Sequence, residues 1–299
     1  MAVRSQNSQT GSRKAQMEMQ NKEIAETLRH IKNRILVMSG KGGVGKSSVA
    51  AYLSVSLAKK GYRVGLMDVD LHGPSIPRIL GLKGSPNFGS HKGKMLPVRY
   101  LPNMEVISIE NLMGENKDAA TIWRGPLKIS AIRQFISDIE WMNLDYLVID
   151  SPPGTGDEPL TVAQTIPDAR ALIVTTPQEV SLADVRKSIN FCRQVKMDIL
   201  GLVENMSGLK CPYCGAIIDV FKMHGGEATA RRENLRLLAT LPLEVEVVMG
   251  GDSGDTTFLD NKALVITREF NKMVDEIVKL TDPQTSSSSQ NDKGYLRAG

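Results

Sequence analysis

The sequence predicts an α/β fold: a doubly wound, mostly parallel sheet with helices on both faces. Three observations lead there. Short runs rich in Val, Ile and Leu alternate with stretches of helical periodicity, the pattern of successive βαβ units whose strands are buried on both sides. A glycine-rich segment, Gly40-Lys41-Gly42-Gly43-Val44-Gly45-Lys46-Ser47, follows one apolar run and opens a helical stretch. Aspartates, Asp68 and Asp150, end two further runs, at the carboxyl edge where doubly wound sheets collect their ligands.

Taken in order, residues 1–30 read as a flexible polar and basic arm with a short helix near 22–31. Residues 1–34 carry Arg4, Arg13, Lys14, Lys22, Arg29, Lys32 and Arg34 against Glu18, Glu23 and Glu26, an excess that accounts for the whole net charge of +4. No aromatic residue is interleaved with these charges for base stacking, so the arm reads as a solvated tail and not as a nucleic-acid element. Strands are expected at 35–39, 64–68, 106–109, 146–150, 171–175, 199–204 and 238–241. A helix runs from Ser47 to Lys60 and stops at Gly61, a residue suited to the left-handed cap. Another starts near Ser181, with Val185, Ile189 and Val195 on its apolar side. The last, 259–280, repeats Ala263, Ile266, Phe270, Met273, Ile277 and Leu280 at helical spacing. Asp275 and Glu276 interrupt its polar side and no basic anchor follows, so its stripe is expected to face the core and not a membrane. Residues 281–299, with Ser286–Ser289, read as a disordered tail, leaving 31–280 as the folded unit.

Composition narrows the class. With 41% hydrophobic and 23% charged residues over 299, the chain is an ordinary globular one. No apolar run reaches the roughly 20 residues of a membrane span, and the start has no signal-peptide core, so a cytoplasmic location is expected. Three cysteines are too few for a disulfide scaffold. Cys192, alone in a helical stretch, reads as an ordinary buried or half-buried thiol, whereas Cys211 and Cys214 form a Cys-Pro-Tyr-Cys pair.

The glycine-rich segment is a phosphate-binding loop of P-loop NTPase type. Its backbone N–H groups curl around phosphate oxygens, Lys46 reaches the β- and γ-phosphates, and the Ser47 hydroxyl, with Ser48 beside it, stands where it can ligate Mg2+. Met67-Asp68-Val69-Asp70 supplies two carboxylates able to organise magnesium and orient an attacking water. Asp150, running into Ser151-Pro152-Pro153-Gly154, is the natural magnesium-shell carboxylate, and the Gly154 amide is placed to sense a γ-phosphate. ATP and Mg2+ are the expected cofactors.

The second loop lysine, Lys41, makes the motif similar to the deviant loop of the MinD/ParA/nitrogenase-iron-protein superfamily. The resemblance implies a homodimer in which Lys41 reaches the partner's nucleotide, as an arginine finger does in trans. It further implies that Asp70 positions water, that Asp68 supports the magnesium site, and that Asn205 contacts the base; the two aspartate roles are interchangeable at this stage.

Two cysteines separated by two residues, in a knuckle made by Pro212 and Gly215, can bind one metal or one edge of a cluster. Structural zinc would need two further ligands, and His224 alone is near in sequence. A symmetric dimer would bring four thiolates together, the usual complement of an iron–sulfur cluster. The segments 41–47, 68–75 (Asp-Val-Asp-Leu-His-Gly-Pro-Ser), 150–158, 204–208 and 211–214 together resemble the Mrp/ApbC/NBP family of iron–sulfur cluster carrier ATPases. That resemblance, over residues 30 to 280, implies a homodimer that binds and slowly hydrolyses ATP, holds a four-iron cluster on paired Cys211 and Cys214, and passes it to apoproteins. A zinc-stapled regulatory or positioning ATPase without a cluster is the alternative, as is a reductase resembling nitrogenase iron protein. Two departures stand out: 221–227 has few glycines, and 241–245 (Leu-Pro-Leu-Glu-Val) lacks the aspartate–proline pair often found there.

Overall fold

The computed structural model of the chain describes residues 17–71, 73–82, 87–88, 94–112, 125–220 and 223–281. Of the expected tail 281–299, Thr281 instead ends the last helix and is buried; 282–299, His72 of the Asp-Leu-His-Gly motif and the first half of the arm lie outside the described residues. The second half of the arm is not loose chain. Residues 17–29 form a helix, α1, and its Ile24 and Leu28, four apart on one face, are buried in the core.

From there the order is β1 (Ile31–Ser39), α2 (Lys46–Lys59), β2 (Val64–Asp68), α3 (Ile76–Ile79), β3 (Asn87–Phe88), β4 (Met95–Leu96), β5 (Val98–Leu101) and β6 (Met104–Ser108). Then follow α4 (Gly125–Asp138), β7 (Leu144–Asp150), α5 (Asp157–Thr165), β8 (Arg170–Thr175), α6 (Glu179–Gln194), β9 (Ile199–Lys210) and β10 (Ile217–Ile218). The chain closes with α7 (Gly225–Glu233), β11 (Leu237–Leu243), α8 (Val245–Ser253), a 3-10 turn (Thr257–Asp260) and α9 (Val265–Thr281).

Among the described residues nine strands form one sheet in the order β10-β9-β8-β1-β7-β2-β6-β5, with β11 paired to β9. The seven strands expected from the sequence are its parallel members, and the antiparallel edges β5 and β10 were not foreseen. Parallel strands need a covering layer on each face, and the chain supplies both. One core packs α2, α3 and α9 against the sheet; the other packs α1, α4, α5 and α6. Helix α2 is buried almost all round, as its Ala-Ala-Tyr-Leu-Ser-Val-Ser-Leu run dictates. Helix α9 buries Ile266, Phe270, Met273 and Ile277 against it, so the last apolar stripe faces the core; the helix starts later than expected, at Val265, with Ala263 before it.

Strand β9 runs six residues beyond its expected end and carries the chain from the carboxyl edge of the sheet to Cys211. The loop after β1, Asp68 at the end of β2 and Asp150 at the end of β7 are thereby neighbours: β7 lies between β1 and β2, and Asp150 is in register with Val37 on one side and Asp68 on the other.

Candidate nucleotide site and cysteine knuckle

The phosphate loop joins β1 to α2, and two of its glycines are dictated by their surroundings. A Cβ on Gly40 would lie 2.4 Å from the main chain of Asp184 in α6, so the helix backbone rests directly on the loop. Gly45 has φ +79°, and a Cβ there would lie 2.2 Å from Asn205 Nδ2. Asn205 donates from that same nitrogen to the Val44 carbonyl at 2.9 Å, which fastens β9 to the loop.

Lys46 is only 6% exposed in its side chain. Its ammonium lies 2.6 Å from Asp150 Oδ1, 3.6 Å from Asp70 Oδ2 and 3.3 Å from Ser47 Oγ. The second oxygen of Asp150, Oδ2, is buried without a hydrogen-bond partner. Burial raises the Asp150 carboxyl above the usual carboxylate range, while Lys46 and the nearby Ser47 hydroxyl pull it back. An unsatisfied buried carboxylate oxygen next to a serine hydroxyl is a donor set suited to a hard divalent cation, so the residues fit the expected magnesium.

Asp68 is placed differently. Its Oδ1 accepts from the Asp70 amide at 3.1 Å, and its Oδ2 accepts from the Ser108 hydroxyl at 3.2 Å and the Ile76 amide at 3.4 Å. Burial, with the Asp150 charge next, holds its carboxyl well above the usual range. Asp68 thus shapes the 68–76 turn, while Asp70 faces the loop lysine. The Gly154 amide, expected to be able to sense a γ-phosphate, donates to the Ser39 carbonyl at 2.8 Å, because the turn after β7 folds back over the end of β1.

Beside the loop opens a pocket of about 240 Å³, lined by Gly45, Tyr52, Asn205, Met206, Leu243 and Glu244 among others. Sequence reading found only Gly45, Ser48 and Asn205 of its wall; the rest comes from α2, α3, β9, the end of β11, α8 and α9, and no local pattern ties the last three to the loop. Glu244, 2% exposed, accepts from the first amides of α9, Val265 at 3.3 Å and Ile266 at 2.8 Å, and so caps that helix.

The cysteine knuckle stands at the far end of β9. The Cys211 amide donates to Ala216 O at 2.8 Å and the Gly215 amide to Cys211 O at 2.9 Å, closing a tight turn before β10. Cys211 is half-exposed and Cys214 exposed; hydrogen bonds from the Cys214 and Tyr213 amides pull the Cys211 thiol below its usual value. Tyr213, between them, is 97% exposed, and Ile217, Ile218 and Val220 are exposed nearby. Cys192 is buried in α6, as expected. Among the described residues no three His, Cys, Asp or Glu side chains are gathered to hold a metal ion, so within them the cysteine pair has no third ligand beside it. The knuckle is anchored by Glu204, which sequence reading passed over. Its buried carboxylate accepts from the Ser207 hydroxyl and from the His224 and Gly226 amides, tying β9 to the start of α7.

A family profile described as the NUBPL iron-transfer P-loop NTPase matches residues 30–278. The chain belongs to this P-loop NTPase family. The iron–sulfur cluster carrier protein of Methanocaldococcus jannaschii is 43% identical over 265 residues, covering 88% of this chain and 90% of that protein. The cytosolic Fe-S cluster assembly factor NUBP2 homolog of Dictyostelium discoideum is 45% identical over 236 residues, 77% of this chain and 88% of its own. Among solved structures, a nucleotide-binding protein from Archaeoglobus fulgidus in complex with ADP superposes with a TM-score of 0.70 at 38% identity, covering 84% of this chain and 96% of that one. The cell-division ATPase MinD of Pyrococcus furiosus shares the fold, with a TM-score of 0.62 at 24% identity over 83% of this chain and 99% of its own. No described helix of this NTPase is long and apolar enough to cross a membrane.

Proposed function

We propose that this NTPase is an ATP-driven iron–sulfur cluster carrier that works as a homodimer in the cytosol; the names of its relatives support the carrier role and, for one of them, the cytosolic location. The observation that carries the reading is the cysteine pair: two solvent-facing thiols on a tight knuckle, with no third ligand gathered in the described chain, at the end of the strand that also fastens the phosphate loop. Two such knuckles related by a two-fold axis supply four thiolates, the complement of a four-iron cluster, which is the cargo.

In this reading the loop 40–47 cradles the phosphates, Lys46 turns from Asp150 to the β- and γ-phosphates, and Ser47 with Asp150 holds Mg2+. Bound magnesium supplies charge neutralisation on the β- and γ-phosphates. Asp70, already facing Lys46, orients the attacking water; Lys41 acts on the partner's nucleotide, and the base occupies the pocket beside Asn205. Hydrolysis is slow and biases two dimer geometries, a task that needs only a few kcal/mol. Residues 31–280 are the working unit, and apo iron–sulfur proteins receive the cluster.

The test is anaerobic reconstitution with iron and sulfide, followed by iron, sulfide and visible absorption per dimer for wild type and for the variant carrying Cys211→Ala with Cys214→Ala. About four irons and four sulfides per dimer, lost in the variant, is the expected result. Colourless protein holding zinc or no metal overturns the carrier reading in favour of a regulatory ATPase whose knuckle is structural.

A further inference from the structure

Asn205 of β9 pairs with Leu241 of β11, and Leu209 pairs with Leu243. Between those positions β9 has three residues, Met206, Ser207 and Gly208, opposite the single Pro242. Proline has no N–H to give, so the ladder opens there and the extra residues bulge. Two of the three are left-handed: Gly208 at φ +78° and Met206 at φ +57°. A left-handed methionine inside a strand is a strained conformation that persists only because its surroundings impose it.

Those surroundings join the two sites already described. At the near end, Asn205 is bonded to the phosphate loop and Ser207 to the buried Glu204. At the far end, the Lys210 ammonium is 3.7 Å from Glu244 Oε1, and the next residue is Cys211. Met206 and Glu244 both line the pocket beside the loop. A base entering a space of about 240 Å³ meets both of them. Each is tied to Cys211 by a short route, Met206 through the bulge itself and Glu244 through Lys210. A bulged segment can change its backbone angles without costing the sheet a ladder bond, and Met206 can relax to an extended conformer by doing so.

We infer that the β9 bulge reports occupancy of the nucleotide pocket to the cysteine pair, with Met206 and Lys210 as positioning residues for Cys211 and Cys214. This rests on the nucleotide-binding reading above.

The experiment is the rate of iodoacetamide labelling of Cys211 and Cys214 in the full, metal-free chain, resolved by peptide mass spectrometry, with and without saturating Mg-ADP. Nucleotide affinity is measured separately with a fluorescent ADP analogue, and mass by sedimentation velocity. Buried Cys192 serves as the internal control, since its labelling reports unfolding. The expected result is a change in labelling rate of about fivefold or more on ADP binding, the lower end of ordinary coupling between sites. That change is lost in Lys210→Met, whose ADP affinity stays at the wild-type value, and is restored in Lys210→Arg. It shrinks in Met206→Gly, assayed at its own saturating ADP concentration. Wild-type labelling that ignores bound ADP, a Lys210→Met variant that keeps the full effect, or a change that tracks doubling of the mass would each overturn the bulge as the route. Absence of ADP binding in wild type would overturn the nucleotide reading with it.

Discussion

The geometry around Lys46 ties this loop lysine to the stability of the fold as well as to phosphate. Its side chain is 6% exposed and that of its partner Asp150 0%, at 2.6 Å, with Asp70 at 3.6 Å. Removing one member of a buried ion pair strands the other and costs about 3–5 kcal/mol, while removing both often costs little. Lys46→Met keeps most of the stem's apolar contacts, so the loss it causes is electrostatic. More than one carboxylate is stranded, because the Asp150 charge already raises Asp68 and the Asp70 charge raises Asp150. A carboxyl raised in the folded state contributes stability that is present below its unfolded value and lost as pH rises through its folded value. The deficit of Lys46→Met is therefore largest at neutral pH and shrinks as pH falls towards the ordinary carboxylate range. Urea unfolding of nucleotide-free protein, followed by circular dichroism, measures it. Adding Asp150→Asn to Lys46→Met should recover about 2 kcal/mol, a coupling within the range of contacting pairs. A Lys46→Met protein that unfolds at the wild-type midpoint at neutral pH, or a double variant no more stable than it, refutes the counter-ion role.

Three further outcomes are expected. Glu204→Gln replaces one acceptor oxygen by a donor and forfeits at least one bond from Ser207, His224 or Gly226, for a loss of about 1–3 kcal/mol in urea unfolding; an unchanged midpoint would show that Glu204 does not hold the knuckle. Phe270→Ala empties a site 1% exposed and edge-on to Tyr52 at 6.1 Å, and should lower stability by about 3–5 kcal/mol, which a thermal melt reads directly. Burial pushes the Cys192 thiol from 9.0 up to about 12. At about 1.4 kcal/mol per pH unit of difference, that thiol withdraws up to about 4 kcal/mol of stability as pH rises from 9 towards 12, so Cys192→Ala should show a flatter alkaline stability profile than wild type.

The parallel strands were legible because strands buried on both faces must be apolar throughout, and each such run stands alone between polar turns. The phosphate loop was legible because its chemistry is local: Gly40 to Ser47 are consecutive, and the strand before and helix after are visible in the same window. Edge strands β5 and β10 were not, since Val98–Leu101 is only partly buried and Ile217–Ile218 is exposed, with too few residues for a period to show. Glu204 and Glu244 escaped for a different reason. Each looks like a surface charge at a strand end, and each becomes a buried helix cap only through a segment about 20 residues further on, at 224–226 and 265–266. Asn205 could be singled out beside Glu204 because its side chain has a known kind of partner in this type of loop, whereas nothing in the chain's local pattern announces that α7 will return to β9. The Gly154 amide was assigned to a ligand from its motif, and the motif does not say that Ser39 competes for it.

In the proposed function, the Gly154–Ser39 hydrogen bond bears on how ATP and ADP would be told apart. A γ-phosphate oxygen that takes the Gly154 amide must first displace the Ser39 carbonyl, so one hydrogen bond is exchanged for another and the net preference from this contact is small, about 1 kcal/mol. ATP and ADP would then bind with similar strength at this amide, differing by less than about tenfold through it. What would differ between them is posture. Helix α5 begins at Asp157, three residues on, and with Gly154 released from Ser39 the turn that leads into it would hold to the central strand through the Ser151 amide on the Val37 carbonyl and no longer through Gly154. The chain would thereby distinguish a fresh fuel molecule from a spent one by the freedom of one surface helix, at almost no cost in affinity for either.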